Sequence, residues 1–177
     1  RPNPDELPFY RAIADSGSIA AAAFSSPGGM KSLNDINKLE FLQAGLPALG
    51  GVGSARSIAR FYQVLANDGV SEGVSVLPKS LVEAARALQG SGMDRTFLFP
   101  TAFSSGFMKD PIDQKGQKTR SLFGPSTRAF GQPGAGGSHA FADPENRISF
   151  AYVMNQMETG ILPNRKSLDL VEALYGE

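Results

Sequence analysis

The chain has 177 residues, 41% apolar and 19% charged, enough apolar material for one packed domain or a large part of one and too little charge for wholesale disorder. Its 17 basic and 17 acidic residues cancel without forming a basic stripe or a cationic amphipathic helix, and no apolar run reaches the length of a membrane span, so neither nucleic acid nor a membrane is an expected partner. Cysteine is absent and His139 is the single histidine, which removes thiol nucleophiles, thiolate or imidazole zinc sites, and any Ser-His-Asp triad not centred on His139.

Residues 1–50 have weak patterning. "RPNPDELPFYRAI" carries three prolines, "SGSIAAAAFSSPGG" is small and polar, and "FLQAGLPALGGVG" is punctuated by Gly and Pro, so an irregular connecting segment with short helical turns is expected. A strong helix follows in "GSARSIARFYQVLANDG". Ile58, Ala59, Phe61, Tyr62, Leu65 and Ala66 share one face, Ser54 suits the N-cap and Gly69 the exit. "GVSEGVSVL" reads as a turn or hairpin. "PKSLVEAARALQG" then predicts a second helix, with Pro78 at its first position, Leu88 on its apolar face and Gly90 as its stop.

Beyond it, a strand is expected near Ser105–Lys109, then a solvent-exposed polar loop, "PIDQKGQKTRS". Strands are expected at 129–132, 138–142 and 148–155, the last two joined by a tight "ADPENR" turn in which Asp143 and Glu145 are solvated. The last strand is apolar on both faces, with Tyr152 and Met154 as core residues, and "NRKSLDLVEALYG" supplies a covering helix. Helices, then antiparallel strands, then a terminal helix give an α+β fold in which helices flank an antiparallel sheet.

The run "FGQPGAGGSHAF" places four glycines between Gly131 and Gly137. A nucleophile elbow at Gly136–Ala140 is disfavoured because G-x-S-x-G needs a helix after the serine and a strand follows here. Neither this run nor "GGVGSARS" completes G-x-G-x-x-G, and no βαβ unit surrounds them. Two readings stay open on spacing alone. The glycines either form bulges at a strand start, or let a substrate lie against the backbone so that an N–H can hold an oxyanion. His139, without a partner in sequence, reads as a solvated or rim residue, and Ser138 as a strand cap or a substrate contact.

"FGQPGAGGSHAFADPENRISFAYVMNQM" closely resembles the C-terminal motif of the serine β-lactamase-related family, which includes class C β-lactamases, family VIII-type esterases and penicillin-binding proteins. Its members carry a pattern like "FGHPGAGGSxGFADPExxxxFxYVMNxM". "GGVGSARSIARFYQVLANDG" with "VLPKSLVEAA" is similar to the helical segment that precedes it, so the resemblance covers most of residues 41–175. It implies a β-lactamase/transpeptidase-like fold, with residues 51–177 as the C-terminal part of that domain. The motif stands where the family has Lys-Thr-Gly. Gln132 takes the place of Lys or His, Pro133 the middle position and Gly134 the glycine. By the same resemblance Ala135 offers an oxyanion-hole N–H, and Gly136 and Gly137 let the strand pass close to substrate. A neutral amide at Gln132 brings no cationic field, which disfavours β-lactam hydrolysis more than ester hydrolysis.

The family's nucleophile lies in Ser-x-x-Lys, and none of the seven lysines here has Ser or Thr three residues earlier. None of the four tyrosines heads a Tyr-x-Asn. The resemblance therefore implies a C-terminal portion that begins after the catalytic tyrosine and lacks the nucleophile. Its expected partners are small esters, amides or β-lactams, with no cofactor and no metal. A non-catalytic relative that keeps the fold as a binding or scaffolding module is the alternative.

Overall fold

A computed structural model describes residues 3–25, 33–47 and 51–176. The amino-terminal segment holds helices α1 (Leu7–Ala14), α2 (Ile19–Phe24) and α3 (Leu39–Gln43), with 3₁₀ turns at Pro4–Glu6 and Leu33–Asn37. Pro8 is tolerated because it lies in the first turn of α1, where an N–H has no helical partner. Ser18 caps α2 by accepting from the Ala21 N–H at 2.9 Å.

Helix α4 (Ala55–Ala66) has the predicted cap, with Ser54 and Ser57 satisfying one another's backbone N–H groups. A two-stranded hairpin, β1 (Val70–Ser71) and β2 (Val74–Ser75), turns through Glu72 and Gly73, both at positive φ. Helix α5 (Lys79–Arg86) is shorter than its pattern suggested. Pro78 is its N-cap, and the chain turns extended at Ala87, leaving Leu88 outside the helix and half exposed.

Six strands then form one antiparallel sheet in chain order: β3 (Gly90–Met93), β4 (Pro100–Phe103), β5 (Met108–Lys109), β6 (Phe130–Pro133), β7 (His139–Asp143) and β8 (Ile148–Tyr152). Side chains alternate across a strand, so the β6–β7 register, with Phe130 opposite Ala142 and Gln132 opposite Ala140, sorts residues onto two faces. Phe130, Ala140 and Ala142 pack beneath Tyr62, Leu65 and Ala66 of α4. Phe141 lies on the opposite face with Phe99, Met108, Leu122, Phe123 and, from α6 (Arg165–Tyr175), Val171. The result is the expected α+β layering of an antiparallel sheet between helices.

Four expectations need correction. β8 is half-buried rather than enclosed on both faces, and Tyr152 and Met154 are likewise half-buried, because β8 ends the strand order. The polar loop after β5 is exposed at most of its residues, as expected, but the side chain of Lys118 within it is not. Its return buries Leu122 and Phe123, and Lys118 reaches back to donate to Asp110 at 2.7 Å and to the Gly124 carbonyl at 2.6 Å. Asp110 also accepts from the Leu122 and Phe123 N–H groups, at 2.8 and 3.2 Å, so one carboxylate staples the whole excursion.

Asp143, the third correction, is fully buried rather than solvated. It does shape the turn, accepting from Glu145 N–H at 3.0 Å, and it also accepts from the Tyr175 hydroxyl at 2.7 Å. Burial alone would raise its carboxyl, but hydrogen bonds from Asn146 and Tyr175 hold it below the usual value. Those bonds fasten α6 to the turn. His139 is the fourth correction and belongs to the site.

The two ends of the chain meet through Glu6. Its buried carboxylate accepts from the Ile161 and Leu162 N–H groups at 3.0 and 2.8 Å. This bond holds α1 against the loop before α6.

Candidate active-site cleft

The end of β6 carries the glycine-rich motif to the edge of the helical amino-terminal segment. There Gln132, Pro133, Gly134 and Ala135 line a cleft of about 340 Å³, within the size range of small-molecule sites. Gln132 is exposed, and its Nε2 donates to the Pro133 carbonyl at 3.2 Å. Pro133, which has no N–H to donate, sits buried at the strand end.

The backbone beyond Pro133 divides its donors. Gly134 N–H donates to the Ser138 carbonyl at 2.7 Å, and Gly137 N–H donates to the Gly134 carbonyl at 3.0 Å. The Ala135 N–H has no acceptor among the described residues, and Ala135 is exposed on the cleft.

Gly136 and Gly137 do not line the cleft. Both are buried at positive φ, +89° and +122°. A Cβ on Gly136 would fall 2.5 Å from the Met157 methyl, and one on Gly137 would fall 2.5 Å from Asn164 Nδ2. Only glycine lets the chain fold back here, which directs Ala135 outward. Their place in the structure is therefore a turn behind the cleft.

His139 is 1% exposed, not a rim residue. Its ring sits among Phe123, Phe141 and Phe150 at centroid distances of 5.5–5.6 Å. Neither ring nitrogen reaches hydrogen-bond geometry with a described group. Burial pushes the imidazole down to about 4, and the weak opposing pull of the Leu122 backbone does not offset it. A neutral, enclosed imidazole cannot serve Ser138, whose hydroxyl instead donates to Met154 Sδ at 3.1 Å. Ser138 thus has no base at hand.

The rest of the cleft wall comes from distant stretches: Phe24 from α2, Phe97 and Phe99 before β4, Met108 from β5, and Ile161 and Leu162 after β8. Sequence reading missed all six, because each is one apolar residue among many and only the fold assembles them. Among the described residues no cluster of three His, Asp or Glu side chains gathers to hold a metal, and no helix is long and apolar enough to cross a membrane.

With this geometry in view, the comparisons decide the lineage. The beta-lactamase family model matches residues 1–173, which takes in the first forty residues as well as the motif. The chain belongs to the beta-lactamase family.

Over 149 residues the chain is 31% identical to "Esterase/beta-lactamase LipL" of Mycobacterium tuberculosis, covering 84% of this chain and 29% of that protein. A crystal structure of a family VIII carboxylesterase superposes with a TM-score of 0.63 at 32% identity, over 70% of this chain and 31% of that one. A penicillin-binding protein homologue from Caulobacter crescentus gives 0.62 at 33%, with the same coverages. EstA from Arthrobacter nitroguajacolicus gives 0.60 at 34%, over 81% of this chain and 38% of its own. This beta-lactamase-family chain thus spans about a third of the length of such relatives, and they share its sheet-and-helix arrangement.

Proposed function

We propose that this chain forms the oxyanion side of a serine hydrolase site that cleaves carboxylic esters through an acyl-enzyme. The observation that carries the reading is the unspent Ala135 N–H on the cleft, next to Gln132, Pro133 and Gly134. A serine hydroxyl, on a segment outside these 177 residues, would add to the ester carbonyl while its proton passes to a base. The carbonyl oxygen would then become an oxyanion, held by Ala135 N–H. Collapse expels the alcohol, which takes the proton, and leaves an acyl-serine. Water then adds to the acyl carbonyl, releases the acid and restores the serine.

Gln132 favours esters within the family's esters, amides and β-lactams. Its amide donates hydrogen bonds but supplies no positive field for a substrate carboxylate. Gly136 and Gly137 support the reading indirectly, by turning the chain so that Ala135 faces the cleft.

Two measurements test it. The isolated chain, incubated with a fluorophosphonate and separately with a penicillin, is expected to show no adduct by intact mass; a stoichiometric adduct would place the nucleophile within this chain. In a protein joining this chain to the nucleophile-bearing segment, p-nitrophenyl ester hydrolysis is expected. Ala135→Pro, which deletes one N–H, should lower kcat by about 10²–10³ with the fold retained by circular dichroism. No ester turnover in that protein would instead favour the non-catalytic binding module, to which a neutral Gln132 is equally suited.

A further inference from the structure

The cleft has an aromatic end that the oxyanion reading does not use. Phe24 is 47% exposed, so half of its ring is free to meet a ligand. Its other side is braced edge-on by the buried Phe9, with centroids 5.3 Å apart and planes at 72°. Phe97 leans on both Phe9 and Phe24, at 5.7 and 6.2 Å, and stacks on Phe99 at 5.6 Å and 20°. Met108 and Leu162, nearly buried, complete the wall. Offset and edge-on packing of this kind holds rings in place. Among the described residues no lysine, arginine or carboxylate lines the cleft, and the one polar residue lining it is the neutral Gln132.

We infer that this wall is a specificity pocket for an uncharged apolar substituent of the ester, and that Phe24 sets its preference. The inference rests on the hydrolase reading for the carbonyl group, which the Ala135 N–H would hold at the cleft's polar side. The substituent bonded to that carbonyl has one apolar surface beside it to occupy, the wall from Phe24 to Leu162. A charged group there would be desolvated against three phenyl rings with no counter-ion, so the pocket selects against carboxylates. Each methylene laid on the wall should raise affinity by about three- to fourfold. The α1–α2 segment, which the sequence reads as mere connection, would then act in substrate choice.

Met108 provides the probe. With ¹³C-methyl-labelled methionine, its resonance is followed as methyl butanoate, pentanoate and hexanoate are added (acyl arm), then propyl, butyl and pentyl acetate (alcohol arm), then sodium hexanoate. The expected result is a saturable Met108 shift, with Met93 on β3 unmoved, and affinity rising about three- to fourfold per methylene in at least one arm. The hexanoate anion should not compete. Phe24→Ala should weaken the longest ester about three- to tenfold, and Phe24→Leu should recover most of it.

A silent Met108, flat series in both arms, or equal binding of the anion would overturn the inference. The same two ester series in the nucleophile-bearing protein give a second reading through kcat/KM, where a flat dependence would also overturn it. Failure is separable from that of the hydrolase reading: turnover without chain-length dependence sinks the pocket alone, whereas Met108 shifts without turnover sink the hydrolase reading.

Discussion

His139 shows how far one side chain's surroundings can reverse its expected role. In the strand alternation of β7 it shares a face with Phe141, and the next strand brings Phe150 against both. A neutral ring fits there, and a charged one does not. Unfolded, the imidazole titrates near 6.5; folded, burial holds it down to about 4. Between those values the unfolded chain binds the extra proton, so stability falls as pH drops from 6.5 toward 4. The contribution lost by pH 4 is about 3 kcal/mol. His139→Phe should therefore flatten this part of the pH–stability curve, read as urea midpoints from pH 7 to 4; a variant curve parallel to the parent's would refute the assignment. The pattern His-x-Phe facing Phe across a turn was visible in the sequence. With no evident partner in sequence, His139 reads instead as a rim residue.

At the scale of elements, the loop between β5 and β6 depends on one buried ion pair. Lys118 and Asp110 are 7% and 1% exposed at the side chain, and each has further backbone partners. Removing one partner leaves the other charge buried and uncompensated. Lys118→Met should therefore cost about 3–5 kcal/mol in urea unfolding, and a cost below 1 kcal/mol would show that the carboxylate finds water instead. Neither residue announced this pairing, since a lysine in "DQKGQKTRS" reads as solvated until the fold brings it back to the strand end. β3 and β4 were equally silent. "GSGM" has no strand propensity and becomes β3 only because β4 offers a ladder to pair with. By contrast, α4, α6 and the β6–β8 strands were legible, because their periodicity and caps are local properties. The motif segment of the cleft was legible for the same reason, while its aromatic wall was not, because it is made of single residues far apart in sequence.

Across the whole molecule, β8 ends the sheet with one flank unpaired among the described residues. An open ladder of N–H and C=O groups invites another strand. The isolated chain is expected to self-associate, with sedimentation velocity giving a mass that rises with concentration. Val153→Lys, at an exposed position just past the strand, should suppress it; a monomer at every concentration would mean that the edge is already covered. The Glu6 bond has a consequence of a different kind, in time rather than in space. It joins positions 155 and 156 residues apart, so its contact order is close to the maximum this chain permits. Closing so long a loop yields nothing until the segment after β8 exists. During synthesis α1 must wait about 8–30 s for residues 161 and 162 to emerge. Glu6→Ala should make α1 amides exchange with deuterium faster than those of α4, and Phe24, carried by the next helix, would lose its fixed place on the cleft. The aromatic end of the site, encoded first, is thus fixed only after the whole sheet has been made.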